Sequence, residues 1–382
     1  MNQVSEGASM DVAAMSAGGI WAAPGRVNII GEHTDYNGGY CLPMALPQVV
    51  RCTAMPRTDG LVRVGSQQHP GERVEVAVAG LAEAPVKGWA RYPLGVVYEY
   101  HRRGHRIPGV DLELDGSVPI GAGLSSSAAI ECSVAIALRD LFELSVSDAD
   151  LIDIANKAEN DYVGAPTGTL DQTASIRCRA GHALFLDAGT GETAQVPFDL
   201  AAARLSLLIV DTNTPHALVD GEYARRRREC EAAAAELGVA RLRDVTDVRA
   251  VAALTDPVLR RRARHVVSEN ARVLAVVEAL RDGRDPRTIG PILTAAHTSL
   301  RDDFMVSTAQ LDTAVDAALD AGAHGARMVG GGFGGSIIAL IDAAAKDRVV
   351  TEIETRFRAA FFADPRAFVA IPSAGAHRVD QT

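Results

Sequence analysis

Apolar and polar residues alternate with period two through several short stretches of the first half of the chain. Val74, Val76 and Val78 do so in RVEVAV, and Val110, Leu112 and Leu114 in VDLELDG, which predicts two half-buried strands. VVRCTAM at 49–55 and LVRVGS at 61–66 read as strands too. Short turns join these stretches, a pattern that favours a mixed or antiparallel sheet over a strict βαβ repeat. The segment 125–142 is apolar on nearly every side and predicts a buried helix. A second helix is predicted from Ser147, with Ser147 and Asp150 as its N-terminal cap. It carries Leu151, Ala155, Ala158 and Tyr162 along one face and stops at Gly164 and Pro166. LSLLIVDT at 205–212 predicts a buried strand. The chain from there to about residue 320 reads as helical and rich in Ala and Arg, and SIIALI at 336–341 reads as a closing strand. A strand-rich first half and a helix-rich second half predict an α+β protein with mixed sheets and a domain boundary near residue 200. Residues 1–18, small and polar, read as a disordered tail ahead of domains at 19–200 and 201–382.

A chain of 382 residues fits two domains, and 47% hydrophobic with 23% charged residues excludes a fully disordered one. The 48 acidic residues outnumber the 38 basic ones, for a net charge of −10. That argues against a general nucleic-acid binder, while a local loop remains free to hold a small anion. No run approaches the length of a membrane span, and no Lys or Arg precedes Arg26 to form a signal-peptide n-region. The five cysteines are widely spaced without a C-x-x-C pair, and read as reduced, mostly buried thiols of a cytoplasmic protein. No exposed heptad or long edge strand stands out, so a monomer is expected. One charge run, Arg225 to Arg228, reads as a solvated helix face, or alternatively as a place where one arginine faces an anion.

Three glycine-rich segments carry the chemistry. PIGAGLSSSAA at 119–129 follows a strand and opens the buried helix. Gly121 and Gly123 allow a tight turn and a close approach to a ligand. Ser125, Ser126 and Ser127 set hydroxyl and N–H groups at a helix N-terminus, which attracts phosphate. A glycine turn with a serine N-cap is the plainer alternative. GGGFGG at 330–335 formally matches G-x-G-x-x-G, but a strand rather than a helix follows it, so the dinucleotide reading fails. APGRVNIIGEHTDYNGGYCLP at 23–43 gathers Arg26, Glu32, His33 and Asp35 among glycines. A metal cage lacks a second histidine at a useful spacing, and a plain surface loop is possible; a set of groups that hydrogen-bonds the hydroxyls of a polyol is the third reading.

Together these segments resemble the GHMP kinase superfamily, and within it the galactokinases. The stretch 25–43 resembles the galactokinase signature, 119–129 the superfamily's phosphate loop, and 330–335 its third glycine motif. WARYPLGV at 89–96, AENDYVGAPTGTLDQ at 158–172, TNTPHALVDGEYARRRREC at 212–230 and HTSLRDDF at 297–304 are similar to further galactokinase segments in the right order. The resemblance covers roughly residues 20–375. It departs in having Gly331 where Ala is frequent, Met305 where Glu is frequent, and Arg91-Tyr92-Pro93 in place of Asn-Tyr-Val.

The resemblance implies a two-domain fold with the active site in the interdomain cleft. The reaction it implies is phosphorylation of α-D-galactose by ATP to galactose 1-phosphate and ADP, the committed step of galactose catabolism. Such a transfer asks mainly for positioning and charge neutralisation. By resemblance, Asp171 is the base at the anomeric hydroxyl, and Arg26 neutralises the transferring phosphoryl group and keeps Asp171 ionised. Ser127 and Glu159 are implied as ligands of Mg²⁺. Glu32, His33, Asp35, Gly168 and Tyr223 are implied at the sugar hydroxyls. Gly121, Gly123, Leu124, Ser125, Ser126 and Ser127 are implied at the ATP phosphates. Trp89 is either a wall for the adenine ring or a plain core aromatic. A kinase for N-acetylgalactosamine or arabinose, and a non-catalytic galactose/ATP sensor, are the alternatives. Neither a nucleic-acid nor a membrane partner is expected.

Overall fold

The computed structural model describes residues 18–165, 167–214 and 219–379, with the side chains of 219 and 220 left aside. The tail expected over 1–18 therefore lies, but for Gly18, outside the described residues. In chain order the first strands are β1 (Gly19–Asn28), β2 (Tyr40–Cys41), β3 (Pro43–Pro56), β4 (Leu61–Ser66), β5 (Arg73–Ala77) and β6 (Val110–Gly116). They are followed by β7 (His182–Asp187), β8 (Thr193–Pro197), β9 (Leu205–Asp211), β10 (Gly325–Met328), β11 (Ser336–Asp342), β12 (Arg366–Ala370) and β13 (His377–Arg378). The helices are α1 (Arg91–Arg102), α2 (Ser126–Leu141), α3 (Asp148–Lys157), α4 (Leu170–Arg177), α5 (Val219–Glu236), α6 (Pro257–Arg281), α7 (Gly290–Ser299), α8 (Ala309–Asp320) and α9 (Lys346–Ala359).

Three sheets result. The first runs β13-β1-β3-β6-β4-β5, the second β10-β11-β9-β12, and the third β2-β7-β8. Every pairing is antiparallel except β4 with β6. The mixed, mostly antiparallel α+β architecture expected from the short turns is thus observed. Beyond Pro47, β3 alternates: Val50, Cys52 and Ala54 point inward while Arg51, Thr53 and Met55 point out. β1 behaves differently, because β3 and β13 flank it and almost every residue is buried.

Helix α2 lies against β1 and β3. Ala128, Ala129, Cys132 and Val134 through Leu138 are buried on successive sides, so the helix is interior, as its composition predicts. The cap of α3 also forms as expected. Ser147 Oγ accepts from the Asp150 amide at 3.2 Å while Asp150 Oδ2 accepts from the Ser147 amide at 3.1 Å. The predicted single helix from 147 to 164, however, ends its α-helical part at Lys157. It continues as a π-helical turn, Ala158–Val163, closed by Gly164 at φ 86°. Such a turn inserts an extra residue, and here both Ala158 and Glu159 are buried.

One hydrophobic cluster joins the first sheet, α1 and α2 to residues as distant as Val273, Leu293 and Ile338. A second cluster is built only from residues between Leu208 and Phe357, on the other face of the β9–β11 sheet. All five cysteines are buried and unbridged, as expected. No helix among the described residues is long and apolar enough to cross a membrane.

The ladder between β1 and β3 shifts register between Pro24 and Arg26. Gly25 sits at that irregularity, facing the 119–125 loop: a Cβ there would lie 2.6 Å from the Leu124 carbonyl oxygen and 2.8 Å from Val118 Cγ1. Backbone, not a flexible side chain, is the obstacle, and the adjacent Arg26 amide donates to that same Leu124 oxygen at 3.1 Å. Gly25→Ala is therefore expected to cost about 1–3 kcal/mol of stability, the range of overpacking, and to raise KM for nucleotide more than for sugar. Calorimetric Tm with two-substrate kinetics checks this; a wild-type Tm would mean the loop yields freely.

Candidate functional site

The site is built where two glycine turns meet. In the first, Gly121 and Gly123 both take φ 74°, and Ser125, the residue before α2, takes φ 58°. The second turn, 330–335, comes between β10 and β11. Ser336 Oγ donates to the Ala122 carbonyl at 2.7 Å, and a Cβ on Gly330 would sit 3.2 Å from the Cα and carbonyl oxygen of Gly123. Side chains on either turn would force them apart. The strand after the second turn confirms that it is no dinucleotide fingerprint. The cleft beside them measures about 620 Å³. Arg26, Glu32, His33, Asp35, Gly121, Gly123, Ser125, Ser127, Gly168, Asp171 and Tyr223, all singled out in the sequence, line it.

At its centre, Nε and Nη2 of Arg26 both lie 2.7 Å from Asp171 Oδ1, and Nη1 donates to the Gly123 carbonyl at 2.7 Å. Ser125 does not cap α2 with its side chain; its hydroxyl donates to Asp171 Oδ2 instead. Burial opposes the charge of Arg26, but the carboxylates of Asp171, Glu32 and Asp35 outweigh it and raise its pKa. Asp171 stands in the first turn of α4.

The sugar-signature loop forms the opposite wall. Glu32 is buried, accepting from the Gly330 amide at 2.8 Å and from Asn28 Nδ2 at 3.1 Å, with Arg327 Nη2 at 3.6 Å. Burial raises its pKa against the pull of Arg327 and Arg26. Nε2 of His33 lies 3.2 Å from the Gly331 carbonyl and Nδ1 lies 3.0 Å from Tyr36 Oη. A carbonyl takes only a donor, so Nε2 carries the hydrogen and Nδ1 accepts from the tyrosine. Burial and His265 push His33 well below the ordinary histidine range, which keeps it neutral. Its two nitrogens are thus spent inside the protein. The Asp35 carboxylate abuts Gly168, where a Cβ would come within 2.0 Å of Oδ2. Tyr223, on α5, stacks 5.4 Å from His33 and closes this end.

Beside the first turn, Ser127 Oγ donates to Glu159 Oε1 at 2.8 Å. Glu159 Oε2 accepts from Thr167 Oγ1 at 2.8 Å and Gln172 Nε2 at 2.7 Å. Burial, then the negative Asp171, raises the Glu159 pKa. Sequence reasoning missed Thr167, Gln172 and Glu131, which lies under this pair. A signal existed for Glu131, a carboxylate amid the apolar run of the buried helix. No group of three or more His, Cys, Asp or Glu among the described residues is gathered to cage a metal. A serine and a glutamate 2.8 Å apart beside a phosphate-type loop nevertheless fit magnesium, which takes few protein oxygens and completes its shell with phosphates and water.

A narrower pocket of about 210 Å³ continues from Ser126 and Ser127 between Val50, Leu114, Val118 and Ile130. Trp89 is one wall of it and also packs against the core cluster: half-buried, it stacks on His69 at 5.3 Å and donates from its indole N–H to Glu72 at 3.2 Å. In the arginine run Arg225 and Arg228 are exposed and Arg227 is partly so, as expected of a solvated helix face; Arg226 departs from it. Arg226 is buried and donates from Nε and Nη2 to the carbonyls of Phe304 and Met305, both at 2.8 Å.

Protein-family models match three stretches: the galactokinase galactose-binding signature over residues 13–56, the GHMP kinases N terminal domain over 91–179, and the GHMP kinases C terminal region over 276–359. Galactokinase of Streptomyces coelicolor is 50% identical over 365 residues, 94% of each chain. The chain belongs to the galactokinase family. That of Mycobacterium tuberculosis is 43% identical, over 89% of this chain and 93% of that one. Galactokinase of Lactococcus lactis, solved in complex with galactose, superposes with TM-score 0.91 at 31% identity over 96% and 97% of the two chains. A Methanococcus jannaschii mevalonate kinase, 16% identical at TM-score 0.69 over 94% and 99%, shares the fold. In this galactokinase-family chain the sequence signature, the two glycine turns and Asp171 therefore converge on one cleft.

Withdrawal from water and the negative Asp171 push Asp35 up to about 6, from an ordinary 3.8. Between those values the folded chain holds a proton that the unfolded chain has lost, so Asp35 makes stability fall as pH rises through that window. Asp35→Asn removes this contribution. With no ligand added, its Tm should fall by roughly 2–4 °C less than the wild-type Tm across the window. Parallel Tm–pH curves would show that Asp35 is ionised throughout.

Proposed function

We propose that the chain transfers the γ-phosphoryl group of ATP to the anomeric hydroxyl of α-D-galactose. The new bond joins the sugar's O1 to phosphorus, the bond from phosphorus to the ADP leaving oxygen breaks, and the hydroxyl proton passes to Asp171. The observation that carries this reading is the position of the Arg26–Asp171 pair, between the glycine turn at 121–125 and the wall of Glu32 and Asp35. A phosphate on the turn and a polyol on the wall meet only there.

Each group has a task in this reading. Asp171 accepts the proton, and Ser125 and Arg26 hold its two oxygens in place. Arg26 also neutralises charge on the phosphoryl group in flight. The backbone of Gly121 through Ser125, with Ser126 and Ser127 at the start of α2, receives the ATP phosphates. The apolar pocket walled by Trp89 takes the adenine. Glu32 and Asp35 accept from sugar hydroxyls, His33 braces that wall, and Gly168 leaves the space Asp35 needs. Tyr223 covers the sugar. Ser127 and Glu159 would hold Mg²⁺, which neutralises phosphate charge when bound. The two halves of the cleft come from 19–200 and 201–382, read as the two domains, in a cytoplasmic enzyme.

ADP release against galactose, N-acetylgalactosamine, arabinose and glucose tests the substrate. Galactose should be fastest, and faster turnover with N-acetylgalactosamine at equal concentration would overturn the assignment. Asp171→Asn tests the chemistry. It keeps size while removing the proton acceptor, an assistance worth ~10²–10⁴-fold. A kcat lowered at least about 10²-fold is expected, with galactose affinity by calorimetry changed far less. A kcat within a few-fold of wild type would make Asp171 a structural residue.

A further inference from the structure

Below the Ser127–Glu159 pair lies a carboxylate that the reaction does not use. Glu131 follows Ser127 by one turn of α2 and is fully buried. Its Oε2 accepts from Gln172 Nε2 at 3.0 Å, and that same nitrogen donates to Glu159 Oε2 at 2.7 Å. Both N–H groups of the amide are therefore committed, one to each carboxylate. Two oxygens remain, Glu131 Oε1 and Gln172 Oε1, both buried and without a partner. Orphaned buried acceptors are costly and rare. The two belong to the groups that the 3.0 Å bond already joins. A carboxylic acid and a primary amide satisfy each other as a pair: amide N–H to the acid's carbonyl, acid O–H to the amide's carbonyl. One proton on Glu131 serves both orphans.

We propose that Glu131 is a positioning residue for the metal site: paired with Gln172, it aims the other N–H of that amide at Glu159 Oε2 and so fixes the carboxylate turned toward Ser127. Gln172 directly follows Asp171 on α4, so this one amide ties the helix of the phosphate loop, the π-helical turn and the helix of the base. Outer groups of this kind typically set metal affinity by 10–100-fold. The inference rests on the reading of Glu159 as a metal ligand.

The test measures Mn²⁺ binding by electron paramagnetic resonance in the presence of AMP-PNP, using the purified full chain. Galactose affinity by calorimetry serves as the check on folding. Glu131→Leu should weaken Mn²⁺ binding about 10-fold or more, with galactose affinity within two-fold of wild type. Glu131→Gln should retain the metal, because a second amide still offers Gln172 one donor and one acceptor. Gln172→Leu, which removes the direct donor to Glu159, should lose at least the same factor, and Glu131→Ala takes the place of Glu131→Leu if the latter does not fold. Wild-type Mn²⁺ affinity in the folded leucine variants, while Glu159→Gln has lost it, overturns the inference. So does a Glu131→Gln variant as weak as Glu131→Leu, since charge rather than pairing would then be at work. Should Glu159→Gln itself keep wild-type affinity, the failure lies with the metal reading of Glu159.

Discussion

Arg26 and Asp171 hold the molecule's working parts in one frame. The guanidinium rises from an interior strand, spends two nitrogens on a single carboxylate oxygen and a third on the glycine turn. The other carboxylate oxygen is left to Ser125, the residue before α2. One ion pair thus sets the distance between β1, α2 and α4. It also answers much of the local charge: Glu32, Asp35 and Asp171 all act on Arg26, with Arg327 standing by Glu32, and burial and Asp171 hold Asp35 above the ordinary carboxylate range. Removing either partner would leave a buried charge unanswered, a loss far larger than a surface pair entails.

Three carboxylates around one arginine also explain why this wall of the cleft is braced from behind. Arg327 stands fully buried behind Glu32, with Glu269 accepting from the Gly31 amide at 3.0 Å and held by Arg272 at 2.7 Å. His33, neutral and bonded at both nitrogens, fills the space between Tyr36, Tyr223 and Phe304. The polar face offered to a ligand is narrow, and most of the polar groups in the loop face inward to hold it rigid.

Much of this was legible in the residues alone, and what was not had physical causes. β5 and β6 announce themselves by alternation, because their polar positions are the more exposed ones. β1 does not, since it is buried on both faces, and a strand of that kind carries no period. α4 escapes notice for the opposite reason. It is eight residues long and its inward positions are polar: Gln172 reaches two carboxylates, and Ser175 Oγ donates to the Pro24 carbonyl at 2.8 Å. The π-helical turn at 158–163 leaves no mark in composition, yet it buries Glu159. Arg226 looks like its exposed neighbours in the run and differs only in what it packs against. The glycine turns and the signature loop were readable because their residues are chosen for backbone approach and charge, which one-dimensional spacing preserves.

The contact between the two glycine turns has a consequence for how the protein comes into being. Ser336 reaches Ala122 across 214 positions, and the Gly330 amide reaches Glu32 across 298. A nascent chain leaving the ribosome carries the glycine turn at 121–125 and the signature loop from early on. The backbone that must close against the signature loop is made 298 positions after Glu32. Until then Glu32 lacks its amide donor and the turn at 121–125 lacks its floor. The cleft wall can close only once the segment 330–336 is in place, and a ligand that binds the closed cleft can stabilise the chain only from then on.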